Sequence, residues 1–244
     1  MISSGNGSSK EARHKSTETT GSIKRVRSPH STSDDSSMIK VIIFDLDGTL
    51  YQNSEIGNKF AEAAYHAIAK FKNISVDEAE QLIEHKRAQM RSTYGDPVPY
   101  TLTLKSVGMS TEHWHKENIA YFDPRDYLEE DERLLNSLSA LKKRYRLAIL
   151  TNNNSVQTDR TLEALGVKHL FDKVYTYNTF KLLKPDPEFV RRAIQEMDVR
   201  PEECCFVGDR YNVDLEPARR LNMHVYKVKG PSDIYALARN LGCN

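Results

Sequence analysis

Val41-Ile42-Ile43-Phe44-Asp45-Leu46-Asp47-Gly48-Thr49 is a β-branched, apolar run that ends in two carboxylates one residue apart. Ionised carboxylates are costly to desolvate and repel each other at short range. A buried strand therefore ends this way where a cation or a reacting group compensates the charge. Side chains alternate along an extended chain, so Asp45 and Asp47 point to the same side. Gly48 lets the backbone turn, and Thr49 adds a hydroxyl. By itself Asp-x-Asp is also explained by a helix cap or a turn.

Outward from this segment, short apolar runs recur. Strands are expected at Lys40–Phe44, Arg146–Leu150, Lys173–Thr176, Cys204–Val207 and His224–Val228. Amphipathic helices are expected at Glu132–Lys143, Val156–Leu165, Pro187–Glu196, Leu215–Leu221 and Ser232–Leu241. This alternation predicts an α/β fold, a Rossmann-like parallel sheet with helices on both faces. Ligands bind such sheets beyond the carboxyl ends of the strands, where Asp45, Thr151 and Asp209 all fall.

One stretch breaks the alternation. Between about residues 55 and 123 the patterns are only helical: Asn58–Phe71, Val76–Met90, Thr101–Val107 and Thr111–Tyr121. Ser75 with Glu78 forms a capping box at the start of the second of these. Ser92-Thr93-Tyr94-Gly95-Asp96-Pro97-Val98-Pro99 is expected as a loop. The reading is an all-helical cap domain inserted after the first strand, serving as a lid that excludes water and selects the substrate. The catalytic core then comprises residues 39–54 and 124–244. Residues 1–38 are rich in Ser and Thr and poor in large apolar side chains, which predicts a disordered tail.

Three later strand ends carry polar groups. Thr151-Asn152-Asn153 offers a hydroxyl and two amides suited to phosphate oxygens, or to capping a helix. Lys184 lies between Leu183 and Pro185-Asp186-Pro187, where it could neutralise a phosphoryl group or a carboxylate. Gly208-Asp209 ends a fourth strand, and Asp214 follows five residues later. Asp209 could complete a metal site begun by Asp45 and Asp47, with Asp214 supporting it.

Taken together, Asp45-Leu46-Asp47-Gly48-Thr49, Thr151, Lys184-Pro185 and Gly208-Asp209 with Asp214 resemble the four motifs of the haloacid dehalogenase superfamily. The resemblance implies that Asp45 attacks phosphorus and becomes an aspartyl-phosphate, and that Asp47 is the general acid and base. It implies that Mg²⁺ is held by Asp45, the backbone carbonyl of Asp47 and Asp209, with Asp214 behind. Thr151 and Lys184 would bind the phosphoryl oxygens. Gly48, Thr49, Asn152 and Tyr94 are the candidate substrate contacts. An acid/base aspartate at position 47 favours phosphate-ester hydrolysis over dehalogenation.

The cap resembles that of the pyrimidine 5′-nucleotidases, on Leu50-Tyr51, the cap length, and Tyr94-Gly95 with Thr101-Leu102. Asp96–Tyr100 intervenes in the latter pair, a departure in the loop expected to meet the leaving group. The expected substrate is a nucleoside 5′-monophosphate. A small phosphosugar or phosphoglycolate, a phosphomutase reaction, and a regulatory role without catalysis are the alternatives. Aromatic residues Tyr51, Tyr94 and Tyr100 lining the cap would favour a base.

The 244 residues carry a net charge of +1, so no global field favours nucleic acid or an anionic membrane as partner. No apolar run approaches the roughly 18 residues that span a bilayer. Three cysteines, two of them adjacent, give no disulfide framework and suit a reducing, cytoplasmic setting.

Overall fold

The computed structural model describes residues 39–241. The Ser-rich segment 1–38 and Cys243 lie outside the described residues. Five strands form one sheet in the order β3-β2-β1-β4-β5. They are β1 (Val41–Phe44), β2 (Arg146–Leu150), β3 (Lys173–Tyr175), β4 (Cys204–Gly208) and β5 (His224–Lys227). Every neighbouring pair is parallel. Phe44 stands in register with Ile149 on one side and Val207 on the other. The carboxyl ends of β1, β2 and β4 therefore come level, and the three motifs that follow them share one edge.

Period-two alternation divides the sheet into two apolar faces. Ile42, Phe44, Leu147, Ile149, Cys205 and Val207 face α5 (Glu132–Lys142), α6 (Ser155–Ala164) and α10 (Pro231–Asn240). Val41, Ile43, Ala148, Leu150, Cys204 and Phe206 face α8 (Pro187–Glu196) and α9 (Glu216–Arg220). All of β1 is buried, as a central parallel strand covered on both faces requires. Cys204 and Cys205 are free, buried thiols, and burial pushes both up to about 12. They sit in the sheet as small apolar groups.

Between β1 and β2 the chain forms α1 (Ser54–Lys72), α2 (Val76–Tyr94), α3 (Tyr100–Ser106) and α4 (Thr111–Tyr121). They have a core of their own, with Ala63, Ala64, Ala67 and Ile68 of α1 packed against Ile83, Leu104 and Trp114. α1 starts earlier than the apolar spacing implies, because Asn53 caps it by accepting from the Ile56 amide at 3.0 Å. The capping box at Ser75 is formed in both directions. The loop expected from Ser92 is a correction. α2 continues through Tyr94 and breaks at Gly95, whose φ of 81° is in the left-handed region open to glycine.

Two further differences concern short elements. β3 stops at Tyr175 because Thr176 turns out to cap a four-residue helix, α7 (Tyr177–Phe180), too short to leave a periodic signal. The helix expected from Leu215 is preceded by a π-helical turn over Tyr211–Leu215. That turn carries Asp214 inward to full burial.

The inserted helices meet the sheet domain along α4 and α7. The ring of His115 packs edge-to-face on Tyr177 at 5.1 Å, and the Tyr177 hydroxyl donates to Glu112. Gln157 Nε2 donates to Asn118 Oδ1 and to Phe122 O, both at 3.0 Å. Burial pulls His115 down to about 4, against the opposing pull of the Asn152 backbone and the Glu112 carboxylate. The folded protein therefore holds this ring neutral, and protonation favours the unfolded chain below pH 6.5, increasingly until about pH 4. His115→Phe is expected to lose roughly 2 kcal/mol less stability than the wild type between pH 7 and 4.5. Urea unfolding at the two pH values measures this, and parallel losses would remove His115 as the acid-sensitive group.

Candidate active site

The nucleophile candidate is built by strand register. The Asp45 amide donates to Val207 O at 2.9 Å, which carries the chain one residue past the end of β1. Lys184 Nζ lies 2.5 Å from Asp45 Oδ1 and 2.8 Å from Asp214 Oδ1. All three side chains are at most 2% exposed. Arg210 Nη2 approaches Asp45 Oδ2 at 3.5 Å, and its Nε approaches Asp209 Oδ1 at 3.5 Å. Burial pushes the Asp45 carboxyl up, but Lys184 and Arg210 together outweigh it and hold the group below its ordinary range. Asp45 is an ionised carboxylate, as a nucleophile must be.

Asp47 is treated differently. Burial and the neighbouring Asp45 charge raise it, against the hydrogen bond from Tyr51 and the two cations. The Tyr51 hydroxyl donates to Asp47 Oδ1 at 2.5 Å and fixes the carboxyl. The environment thus shifts two aspartates one residue apart in opposite directions, which suits one for attack and the other for proton transfer.

Two glycines make room for the cluster. A Cβ on Gly48, whose φ is 84°, would stand 2.6 Å from Asp209 Oδ2. A Cβ on Gly208 would stand 2.7 Å from the Asp214 Cβ. Glycine is required at both positions by approach distance.

Asp45, Asp209 and Asp214 each bring a carboxylate oxygen within 4.8 Å of the others. Asp209 Oδ1 is buried and has no hydrogen-bond partner among the described residues. Burial raises Asp209 to about 7, with the Asp45 and Asp214 charges adding to the effect against Arg210. Four carboxylates, including Asp47, share only Lys184 and Arg210, an excess of two negative charges when all are ionised. An all-oxygen donor set short of two positive charges fits a hard divalent cation such as Mg²⁺.

A cavity of about 280 Å³ opens between the carboxylates and the inserted helices. Asp45, Asp47, Thr151, Asn152 and Arg210 line one end, and Phe60, Arg87, Val98, Tyr100, Thr101 and Trp114 the other. Thr151 Oγ1 accepts from the Asn153 amide at 3.2 Å, so its proton is available to a ligand oxygen. Lys184, Asp209 and Asp214 stand behind this wall through the contacts above.

Three expected contacts differ. Asn152 reaches the cavity, but its amide is committed to Lys184. Nδ2 donates to Lys184 O at 2.9 Å, and Oδ1 accepts from Lys184 N at 2.6 Å. Asn152 holds the lysine in place. Thr49 is fully buried and lies behind the nucleophile, its hydroxyl 3.5 Å from Asp45 Oδ2, away from the cavity wall. Tyr94, on the last turn of α2, packs with Leu102, Tyr177 and Leu183 in a separate apolar cluster. Of the three tyrosines considered for the cap, Tyr100 lines the cavity, while Tyr51 serves Asp47. Arg210 is a site residue that sequence reasoning passed over. Its signal was a cation directly beside Asp209.

The strand ends of this parallel sheet gather four aspartates, a lysine and an arginine at the carboxyl edge where ligands of such α/β folds bind. The model of the haloacid dehalogenase-like hydrolase family matches residues 39–222, and the chain belongs to that family. It is 30% identical over 202 residues to a glyceraldehyde 3-phosphate phosphatase of Methanocaldococcus jannaschii, covering 78% of this chain and 85% of that protein. It is 27% identical over 198 residues to a protein of the same name from Methanopyrus kandleri, covering 79% and 84%. Among solved structures, the HAD phosphatase from Thermococcus onnurineus superposes with a TM-score of 0.60 at 22% identity, covering 84% of this chain and 99% of that one. That last likeness is one of fold. No helix among the described residues is long and apolar enough to cross a membrane.

Proposed function

We propose that this protein is a Mg²⁺-dependent phosphatase of small phosphosugars, releasing phosphate through an aspartyl-phosphate on Asp45. The observation that carries the chemistry is the split between the two aspartates: Asp45 lies 2.5 Å from Lys184 and 3.5 Å from Arg210 and is lowered, while Asp47 is held by the Tyr51 hydroxyl and is raised. An Asp45 oxygen attacks phosphorus while the ester oxygen leaves with the proton of Asp47. Asp47 then takes a proton from water, which attacks the acyl phosphate, frees inorganic phosphate and restores Asp45. The Thr151 hydroxyl meets the charge that builds on the phosphoryl oxygens, and Lys184 adds its positive charge from behind Asp45, 2.5 Å away. Asp45, Asp209 and the Asp47 carbonyl, supported by Asp214, would hold Mg²⁺, which supplies charge neutralisation and in-line orientation.

Three observations support the phosphosugar over the nucleotide. The relatives from both archaea carry the name of a triose phosphate phosphatase. The cavity of about 280 Å³ lies just below the roughly 300–1,000 Å³ of ligand sites. Tyr94, on which the nucleotidase likeness leaned, packs elsewhere.

The test is a panel of glyceraldehyde 3-phosphate, dihydroxyacetone phosphate, phosphoglycolate, UMP and CMP assayed with Mg²⁺ and with excess chelator. Triose phosphates are expected to lead by at least about tenfold in kcat/KM, and turnover to fall at least about 100-fold in chelator. Nucleotides leading would overturn the substrate class, and full turnover in chelator the metal.

A further inference from the structure

The two ends of the cavity differ in chemistry. The carboxylate end holds everything that can meet a phosphoryl group. The far end is built from Gly57, Phe60, Pro97, Val98, Pro99 and Trp114, with three polar side chains among them. Two of these are hydroxyls with partners in the cap. Thr101 Oγ1 accepts from Trp114 Nε1 at 3.1 Å and keeps its own proton to donate, and the Tyr100 hydroxyl accepts from Arg87 Nη1 at 2.9 Å and faces Glu84 Oε1 at 3.5 Å. The third is Arg87, the only charged residue at that end.

Arg87 is held on several sides. Its Nε donates to Val98 O at 3.2 Å. Nη1 donates to both oxygens of Glu84, at 2.9 and 3.1 Å. The guanidinium carbon lies 4.2 Å from the Tyr100 ring centroid. Glu84 is in turn held by the Tyr65 hydroxyl at 2.9 Å. The side chain is 16% exposed. The two N–H groups of Nη2 have no partner among the described residues. A planar donor fixed in advance loses little freedom when a ligand arrives, which is the physical content of preorganisation.

Resting on the phosphosugar reading, we propose that Arg87 reads the leaving group, and that it selects short-chain phosphate esters whose far end carries a neutral acceptor oxygen. The neutrality follows from Glu84. Its carboxylate already offsets the guanidinium charge, so Nη2 offers hydrogen bonds more than net charge. The apolar walls accept the intervening carbons and offer no pairing to the several donors and acceptors of a nucleobase. An ester lacking the far oxygen covers the Nη2 donors without pairing them, which is the larger part of the discrimination.

The experiment compares dihydroxyacetone phosphate with n-propyl phosphate, which lacks the acceptor. The wild type is expected to favour the former in kcat/KM by roughly 10- to 100-fold. Arg87→Met is expected to collapse that ratio toward one, mainly through KM, and Arg87→Lys to recover part of it. A cap that is merely misplaced lowers both esters in parallel and leaves the ratio standing, which would overturn the assignment. Should Arg87→Met fail to fold, Glu84→Gln answers the same question. With the offsetting charge gone, preference for 3-phosphoglycerate over dihydroxyacetone phosphate is expected to rise several-fold, and an unchanged ratio counts against Arg87. If p-nitrophenyl phosphate is turned over but neither short ester is, this inference falls while the phosphatase chemistry stands. If no monoester is turned over, both fall.

Discussion

Asp45→Asn is expected to cut phosphate release by roughly 10⁴-fold or more while the protein stays folded. The size of the loss follows from what the substitution removes. An amide oxygen carries no charge for attack on phosphorus, and no other side chain in the cavity is an ionised carboxylate next to Lys184. Asp47 is held toward its protonated form and fixed by Tyr51. Asp209 and Asp214 are likewise raised by burial. The fold survives because the cluster has carboxylates to spare. Removing the Asp45 charge leaves both cations a partner, with Lys184 2.8 Å and Arg210 3.9 Å from Asp214. The measurement pairs p-nitrophenyl phosphate turnover with the circular dichroism melting curve. Retained turnover in a folded variant would remove Asp45 as the nucleophile. Loss of turnover together with loss of the melting transition would point to a structural role instead.

The centre of the sheet was legible because β1, β2 and β4 are buried on both faces. Arg146–Leu150 and Pro187–Glu196 appear with the bounds their patterns imply. In both, periodic apolar spacing and local breakers act within a few residues of each other. The candidate nucleophile Asp45 and its neighbour Asp47 were legible for a different reason: charge at the end of an apolar strand is expensive, so it stands out. What escaped depends on partners distant in the chain. Asn152 looks like a phosphate contact until the backbone of Lys184, 32 residues on, is seen to occupy its amide. Tyr94 sits in a stretch dense with breakers, yet α2 runs through it and turns its ring toward Leu102 and Tyr177. Arg210 is unremarkable in sequence; its importance comes from three carboxylates gathered around it from β1 and the turn after β4. Local rules govern elements, whereas the placement of polar groups between elements is set by tertiary packing.

Lys184→Met is expected to abolish turnover and also to destabilise the fold by about 3–5 kcal/mol, because it strands buried charge. Lys184 is 1% exposed and bridges Asp45 and Asp214, which are 2% and 0% exposed. Without the ammonium, the two carboxylates face each other with Arg210 as the remaining cation. The sign with pH follows from Asp45, which Lys184 and Arg210 hold below its ordinary range. That stabilisation is present above the unfolded carboxylate range and is lost as pH falls, so the variant's deficit is greatest near neutrality and shrinks in acid. The double variant Lys184→Met/Asp214→Asn separates the two roles. It removes one stranded charge along with the cation and is expected to regain much of the stability, by urea unfolding, with no return of activity. Stability that stays low would mean that Lys184 supports the fold through packing against Phe206, whose ring centroid lies 5.6 Å from Nζ. Activity that returns would mean that the phosphoryl oxygens find their countercharge in Arg210 and the metal alone.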